Sequence, residues 1–129
     1  MIGDKFAELA EIMAKVKSDR LKVTLDTAHA FASGYNLATK EGLEKTLSEF
    51  DKLIGLDNLV CLHLNDSAAP LFSNRDRHAD ISKGFIGLEA FRRIVNHPEL
   101  KKLPGIIETP NMKLVEESND VTLLKSLRK

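Results

Sequence analysis

Residues 59–65 read LVCLHLN, a nearly continuous apolar run of strand length. Such a run suits a strand covered on both faces, the habit of parallel sheets flanked by helices. The chain repeats the theme on either side. LKVTLD at 21–26 is a short β-branched run, and PGIIETP at 104–110 is a third strand, ended by Pro110. Helical spacing fills the intervals. Phe6, Leu9, Ile12, Met13 and Val16 share one face of a helix over 4–17 with Asp4 as its cap, and Leu43, Leu47, Phe50, Leu53 and Ile54 do so over 40–54, stopping at Gly55. GLEAFRRIVN at 87–96 reads as a helix closed by His97-Pro98, and a last helix falls near 120–128. A polar loop follows LVCLHLN as far as about Gly84. The order α, β, α, β, α, β, α predicts an α/β fold with three parallel strands.

The chemistry-bearing residues fall where these strands stop. Loops leaving the carboxyl ends of parallel strands converge on one face, so Asp26, His63 and Glu108, each closing an apolar strand, reach one rim. In DTAH the pair Asp26 and His29 lie three residues apart as strand gives way to loop, a spacing that serves neighbouring ions. In DRH, Asp76 and His78 lie two apart, which in extended backbone puts both side chains on one side and lets them grip one ion. Imidazole and carboxylate donors without thiolate suit Zn²⁺, with Mn²⁺ or Fe²⁺ as competitors. Taken singly, each residue has a plainer reading: His63 as a core or loop histidine, Asp26 as a cap, Glu108 as a surface carboxylate, Arg75 and Arg77 as solvated loop charges.

Composition bounds the rest. The 129 residues suit a single domain, 1–129, with ordinary apolar content and no internal repeat or linker. Lys plus Arg number 19 and Asp plus Glu 19, so no basic face draws nucleic acid from a distance, and local groups or bound metal must supply any such attraction. Cys61 inside the apolar run reads as a buried filler in a reducing compartment. No apolar run approaches the roughly 18 residues of a membrane span, and MIGDKFAEL lacks a signal-peptide layout, so the expectation is a cytoplasmic, soluble chain without a membrane partner.

The stretches LDTAHAFASGYNL, HLNDS, DRHADISKGFIGLEAFRRIV and IETP resemble the carboxyl-terminal half of endonuclease IV, the zinc-dependent apurinic/apyrimidinic endonuclease family, over residues 2–128. The resemblance implies a partial (β/α)8 TIM barrel, its last three parallel strands with their helices. It also implies a hydrolase that cleaves the phosphodiester 5′ to abasic sites in double-stranded DNA during base excision repair, with three zinc ions gathered around the phosphate. Carried over by motif, Asp26, His63 and Glu108 would bind one zinc and His29, Asp76 and His78 another. A bridging glutamate and the ligands of the third zinc come from earlier strands. Arg75 and Arg77 would contact phosphate.

A whole barrel needs eight strands and about 250 residues. MIGDKFAEL resembles the family just after the strand bearing the bridging glutamate, so a separate amino-terminal half-barrel or a second copy of the chain is the expected partner. Other classes compatible with the residues are a non-catalytic zinc- or DNA-binding remnant and a sugar isomerase or epimerase of the related barrels, against which DRH and LDTAHAFASGY argue. Two departures stand out: Ala28 where the family usually has Cys, and Ala68 with Phe72 where it has Lys and a Gly-Ser turn.

Overall fold

The computed structural model describes residues 4–110 and 119–129; the opening of the MIGDKFAEL stretch lies outside them. Helix α1 is Phe6–Val16, strand β1 Val23–Asp26, α2 Thr27–Ala32, α3 Lys40–Leu53, β2 Leu59–His63, β3 Asp66–Ser67, β4 His78–Ala79, α4 Leu88–Asn96, β5 Gly105–Ile106 and α5 Asn119–Leu127. The sheet is parallel, in the order β1-β2-β5. Among the described residues the architecture is α/β, with three parallel strands and no closed ring, as expected of part of a TIM barrel.

The core forms where the helical stripes meet these strands. Phe6, Leu43, Leu47 and Phe50 are buried with Leu25, Leu59 and Leu62. Phe6 stacks on Tyr35 with ring centroids 4.0 Å apart and meets Phe50 edge-on at 5.1 Å, and its N–H donates to the Tyr35 hydroxyl at 2.9 Å. Fully burying an aromatic of this size is worth about 1.5–3 kcal/mol. Helix α3 starts from Thr39, whose hydroxyl accepts from Gly42 N–H at 3.0 Å. It gives way at Gly55, where φ of +99° suits a residue without Cβ.

Several expectations change. Asp4 does not cap α1; Lys5 holds the N-cap position, with its N–H on Glu8 Oε1 at 3.3 Å, because Asp4 is turned toward His29. Ile12, Val16 and Leu53 belong to the apolar stripes yet stay exposed, Val16 by 55%, because the described chain supplies no layer beyond α1 and the end of α3. For the same reason β2 is not sealed on both faces: Val60 is 41% exposed and the free thiol of Cys61 only half-buried. Residues 27–32 form a helix where a loop was expected, since Asp26 caps it. The polar loop after β2 contains an antiparallel ribbon, Asp66–Ser67 against His78–Ala79. No helix among the described residues is long and apolar enough to cross a membrane.

Candidate metal centre

Strand register does the first part of the assembly. Asp26 is the cross-strand partner of His63, and His63 of Ile106, so the ends of β1, β2 and β5 lie side by side. Neighbouring strands stand about 4.8 Å apart, close enough for side chains on one rim to share an ion. Asp26 answers both of its sequence readings with different oxygens. Oδ1 accepts from His29 N–H at 3.1 Å and caps α2, while Oδ2 lies 3.7 Å from His63 Nδ1 and 3.5 Å from His78 Nε2. His63 Nδ1 is also 2.7 Å from Glu108 Oε1. Asp26, His63 and Glu108 thus form a compact group, one donor atom from each lying within 4.8 Å of the others.

The ribbon delivers the second part. Ser67 pairs with His78, which swings the DRH loop back over the strand ends. Asp66 anchors the turn beyond it: buried, its carboxylate accepts from Ser67 N–H at 2.8 Å, Ser82 N–H at 3.1 Å, Ile86 N–H at 2.9 Å and Gly87 N–H at 3.2 Å. Asp76 and His78 do fall on one side, with Asp76 Oδ1 3.4 Å from His78 Nε2. The second compact group is Asp26, Asp76 and His78, so Asp26 belongs to both. The His29 ring lies outside both groups and approaches them through Asp76: its Nδ1 lies 3.3 Å from Asp76 Oδ2, and its Nε2 is 3.2 Å from Asp4 Oδ1.

The contacts around His78 fit a bound cation. Its Nδ1 is 3.1 Å from the Glu108 carbonyl oxygen, which only accepts, so Nδ1 carries the proton and in the neutral ring Nε2 is a lone pair. That lone pair faces one carboxylate oxygen of Asp26 and one of Asp76. Asp76 Oδ1 is buried and receives no hydrogen bond. Three acceptors converging in this way repel one another unless a second proton or a positive ion stands among them, and an ion satisfies all three together. Nitrogen and oxygen donors without thiolate fit Zn²⁺, and Mn²⁺ or Fe²⁺ by the same chemistry. Cys61 belongs to neither group.

Over residues 1–129 the sequence matches the xylose isomerase-like TIM barrel family. The chain belongs to that family. Among xylose isomerase-like relatives it is similar to Probable endonuclease 4 of Halothermothrix orenii, 50% identical over 129 residues, and of Chloroflexus aurantiacus, 44% identical over 128 residues. These alignments take in 99% and 98% of the chain but 46% and 45% of the relatives, so the chain spans less than half the length of either. The solved endonuclease IV of Thermus thermophilus superposes with a TM-score of 0.80 at 36% identity, over 98% of this chain and 43% of that one.

In this member of the xylose isomerase-like barrels, Arg75 and Arg77 flank Asp76 and are exposed. Phe72 adopts φ of +62°, a region glycine prefers, and the loop is pinned there by Phe72 N–H to the Phe31 carbonyl at 3.2 Å and Asn74 N–H to the Ala32 carbonyl at 2.9 Å. Ala28 is fully buried inside α2, where it offers no donor to an ion. Sequence reasoning missed Asn65 and Asp66. Both sit in HLNDS as polar residues after a strand, a pattern that also describes any exposed turn, and only burial separates the two cases.

Proposed function

We propose that the chain is the carboxyl-terminal portion of a zinc-dependent endonuclease, forming a single domain that acts on the phosphodiester 5′ to abasic sites in double-stranded DNA, as in base excision repair. The observation that carries the reading is the convergence of Asp26, His63, Asp76, His78 and Glu108 on one strand-end rim, with Asp26 shared between two compact donor groups. Similarity to proteins named endonuclease 4 supports the choice of reaction. Asp26, His63 and Glu108 would hold one ion, and Asp76 and His78 with Asp26 or His29 another. Bound Zn²⁺ supplies charge neutralisation at phosphate and a water acidic enough to attack at neutral pH. The protein's own part is to orient these donors: the Glu108 carbonyl fixes the His78 tautomer, and the α2 cap holds Asp26. Arg75 and Arg77, both exposed, would contact the flanking phosphates, which would let a chain of zero formal charge bind DNA.

The complement of the barrel is what this reading requires, within the cytoplasm, whether it is carried on the same polypeptide, on a separate amino-terminal half-barrel or by a second copy. A second reading is a non-catalytic zinc- or DNA-binding module, since the compact donor groups would hold an ion whether or not a reaction follows. One assay separates them: an abasic-site duplex incubated with Zn²⁺ and the chain, alone and with the amino-terminal half of a related barrel. A nick 5′ to the lesion that His78→Ala abolishes is expected in the completed mixture. No nick under any combination leaves the binding module.

A further inference from the structure

Asn65 follows β2 at 0% exposure, a costly place for an amide unless its polar atoms are matched. Its Nδ2 donates to Asp26 Oδ2 at 3.1 Å, and its Oδ1 accepts from Glu108 N–H at 2.7 Å. Its backbone N–H donates to the Thr27 hydroxyl at 2.9 Å, and that hydroxyl donates to the Asn65 carbonyl at 2.6 Å. Thr27 is itself buried. From the end of β2 the residue therefore reaches the ends of both neighbouring strands, and its side chain touches two of the three members of the Asp26, His63 and Glu108 group.

We propose that Asn65 is a positioning residue for the metal centre: it sets the spacing of Asp26 and Glu108 across His63, and thereby the affinity and coordination geometry of the ion held between them. The inference rests on reading this rim as a metal centre. Its chemistry is specific to an amide. The carboxylate oxygen of Asp26 can only accept, and it meets the group of Asn65 that only donates; the Glu108 N–H can only donate, and it meets the oxygen that only accepts. The oxygen that Asn65 holds is the same Oδ2 that faces both His63 Nδ1 and His78 Nε2. A residue that served only to finish the β2 turn would need the Thr27 contacts, which its backbone makes, and no side-chain amide at all. Partners of this kind, one bond behind the ligands, hold donor atoms in the geometry the ion needs before it arrives.

The test compares Zn²⁺ affinity, by competition with a chromophoric chelator, for the full chain, His63→Ala and Asn65→Ala, alongside urea unfolding of each metal-free protein. Asn65→Ala is expected to weaken zinc by about 10–100-fold while still unfolding cooperatively without metal. Affinity within about twofold of the unsubstituted chain overturns the assignment. Should Asn65→Ala lose cooperative unfolding, Asn65→Asp decides instead, because it keeps an acceptor for Glu108 N–H but sets a carboxylate against Asp26. Its Co²⁺ absorption bands should differ in shape from those of the unsubstituted protein, and an identical spectrum overturns the assignment. Absence of zinc uptake by the unsubstituted chain, or full retention in His63→Ala, defeats the metal-centre reading itself. Loss in His63→Ala with retention in Asn65→Ala defeats only the role of Asn65.

Discussion

Replacing Asp66 by Asn changes one oxygen to an amide nitrogen at constant volume, in a place where the surrounding groups all donate. Asp66 Oδ1 accepts from Ser67 and Ile86 N–H at 2.8 and 2.9 Å, and Oδ2 from Ser82 and Gly87 N–H at 3.1 and 3.2 Å. Whichever way the new amide turns, two of these four donors lose a close acceptor and meet another donor; Gly87 alone has a fallback, at 3.4 Å from Oδ1. A buried donor left unmatched costs about 1–3 kcal/mol, so the substitution should destabilise the chain by roughly 2–6 kcal/mol. That is a large share of the ~5–15 kcal/mol by which domains are stable. Urea unfolding with the slope checked for constancy measures it. Because Asp66 and Ser67 form the ribbon that carries His78, zinc affinity should fall in parallel. A loss under about 1 kcal/mol would refute the argument that these donors depend on the carboxylate.

Other consequences are open to direct measurement. Zinc at a hundredfold excess over its Kd should raise unfolding stability by about 2.7 kcal/mol, and Asp76→Ala or His78→Ala should reduce both the shift and the bound metal, whereas an unshifted melt would count against the site. Gly84→Ala places a Cβ 2.3 Å from the Ser67 carbonyl oxygen and 2.6 Å from Asp66 Oδ1, and calorimetry should find a loss of about 1–3 kcal/mol from overpacking. Exposed Ile12, Val16, Val60 and Ile106 should make the purified chain self-associate or bind a hydrophobic dye, a tendency that a complementary half-barrel suppresses; a monodisperse monomer blind to dye would speak against it. Burial raises the Tyr35 phenol above its usual 10.0. The folded state therefore holds this proton more tightly, a contribution complete below the unfolded value and lost as pH climbs through the folded one. With one Tyr and no Trp in the chain, phenolate absorbance follows this group alone, and a midpoint at or below 10.0 would contradict the burial argument.

Much of the candidate site was legible as pattern. The ends of β1 and β2 fall on Asp26 and His63 as the apolar runs say, and the two-residue spacing of DRH places Asp76 and His78 together. Such features are local: alternation, β-branching and the breaks after them act on neighbouring residues and need no knowledge of the rest of the chain. Helix α2 was hidden because six residues show too little periodicity to register, and only the Asp26 cap explains it. The ribbon was hidden because two-residue strands carry no pattern at all.

By itself, then, the sequence determined the fold class, the ends of β1 and β2 and the kinds of donor on the rim; the third strand, expected over 104–110 and closed by Glu108, is paired only at Gly105–Ile106, because only Leu62 and His63 of β2 face it, and Glu108 lies beyond its end. Tertiary structure alone decided that Asp26 serves two groups, that His29 turns to Asp4 as well as Asp76, and that Asn65 and Asp66 are buried hubs instead of turn residues. The reason is distance along the chain. The bonds from Asn65 to Asp26 and to Glu108 span 39 and 43 residues, so they exist only once parallel register has brought three strand ends level, and no window of sequence short enough to read contains both partners.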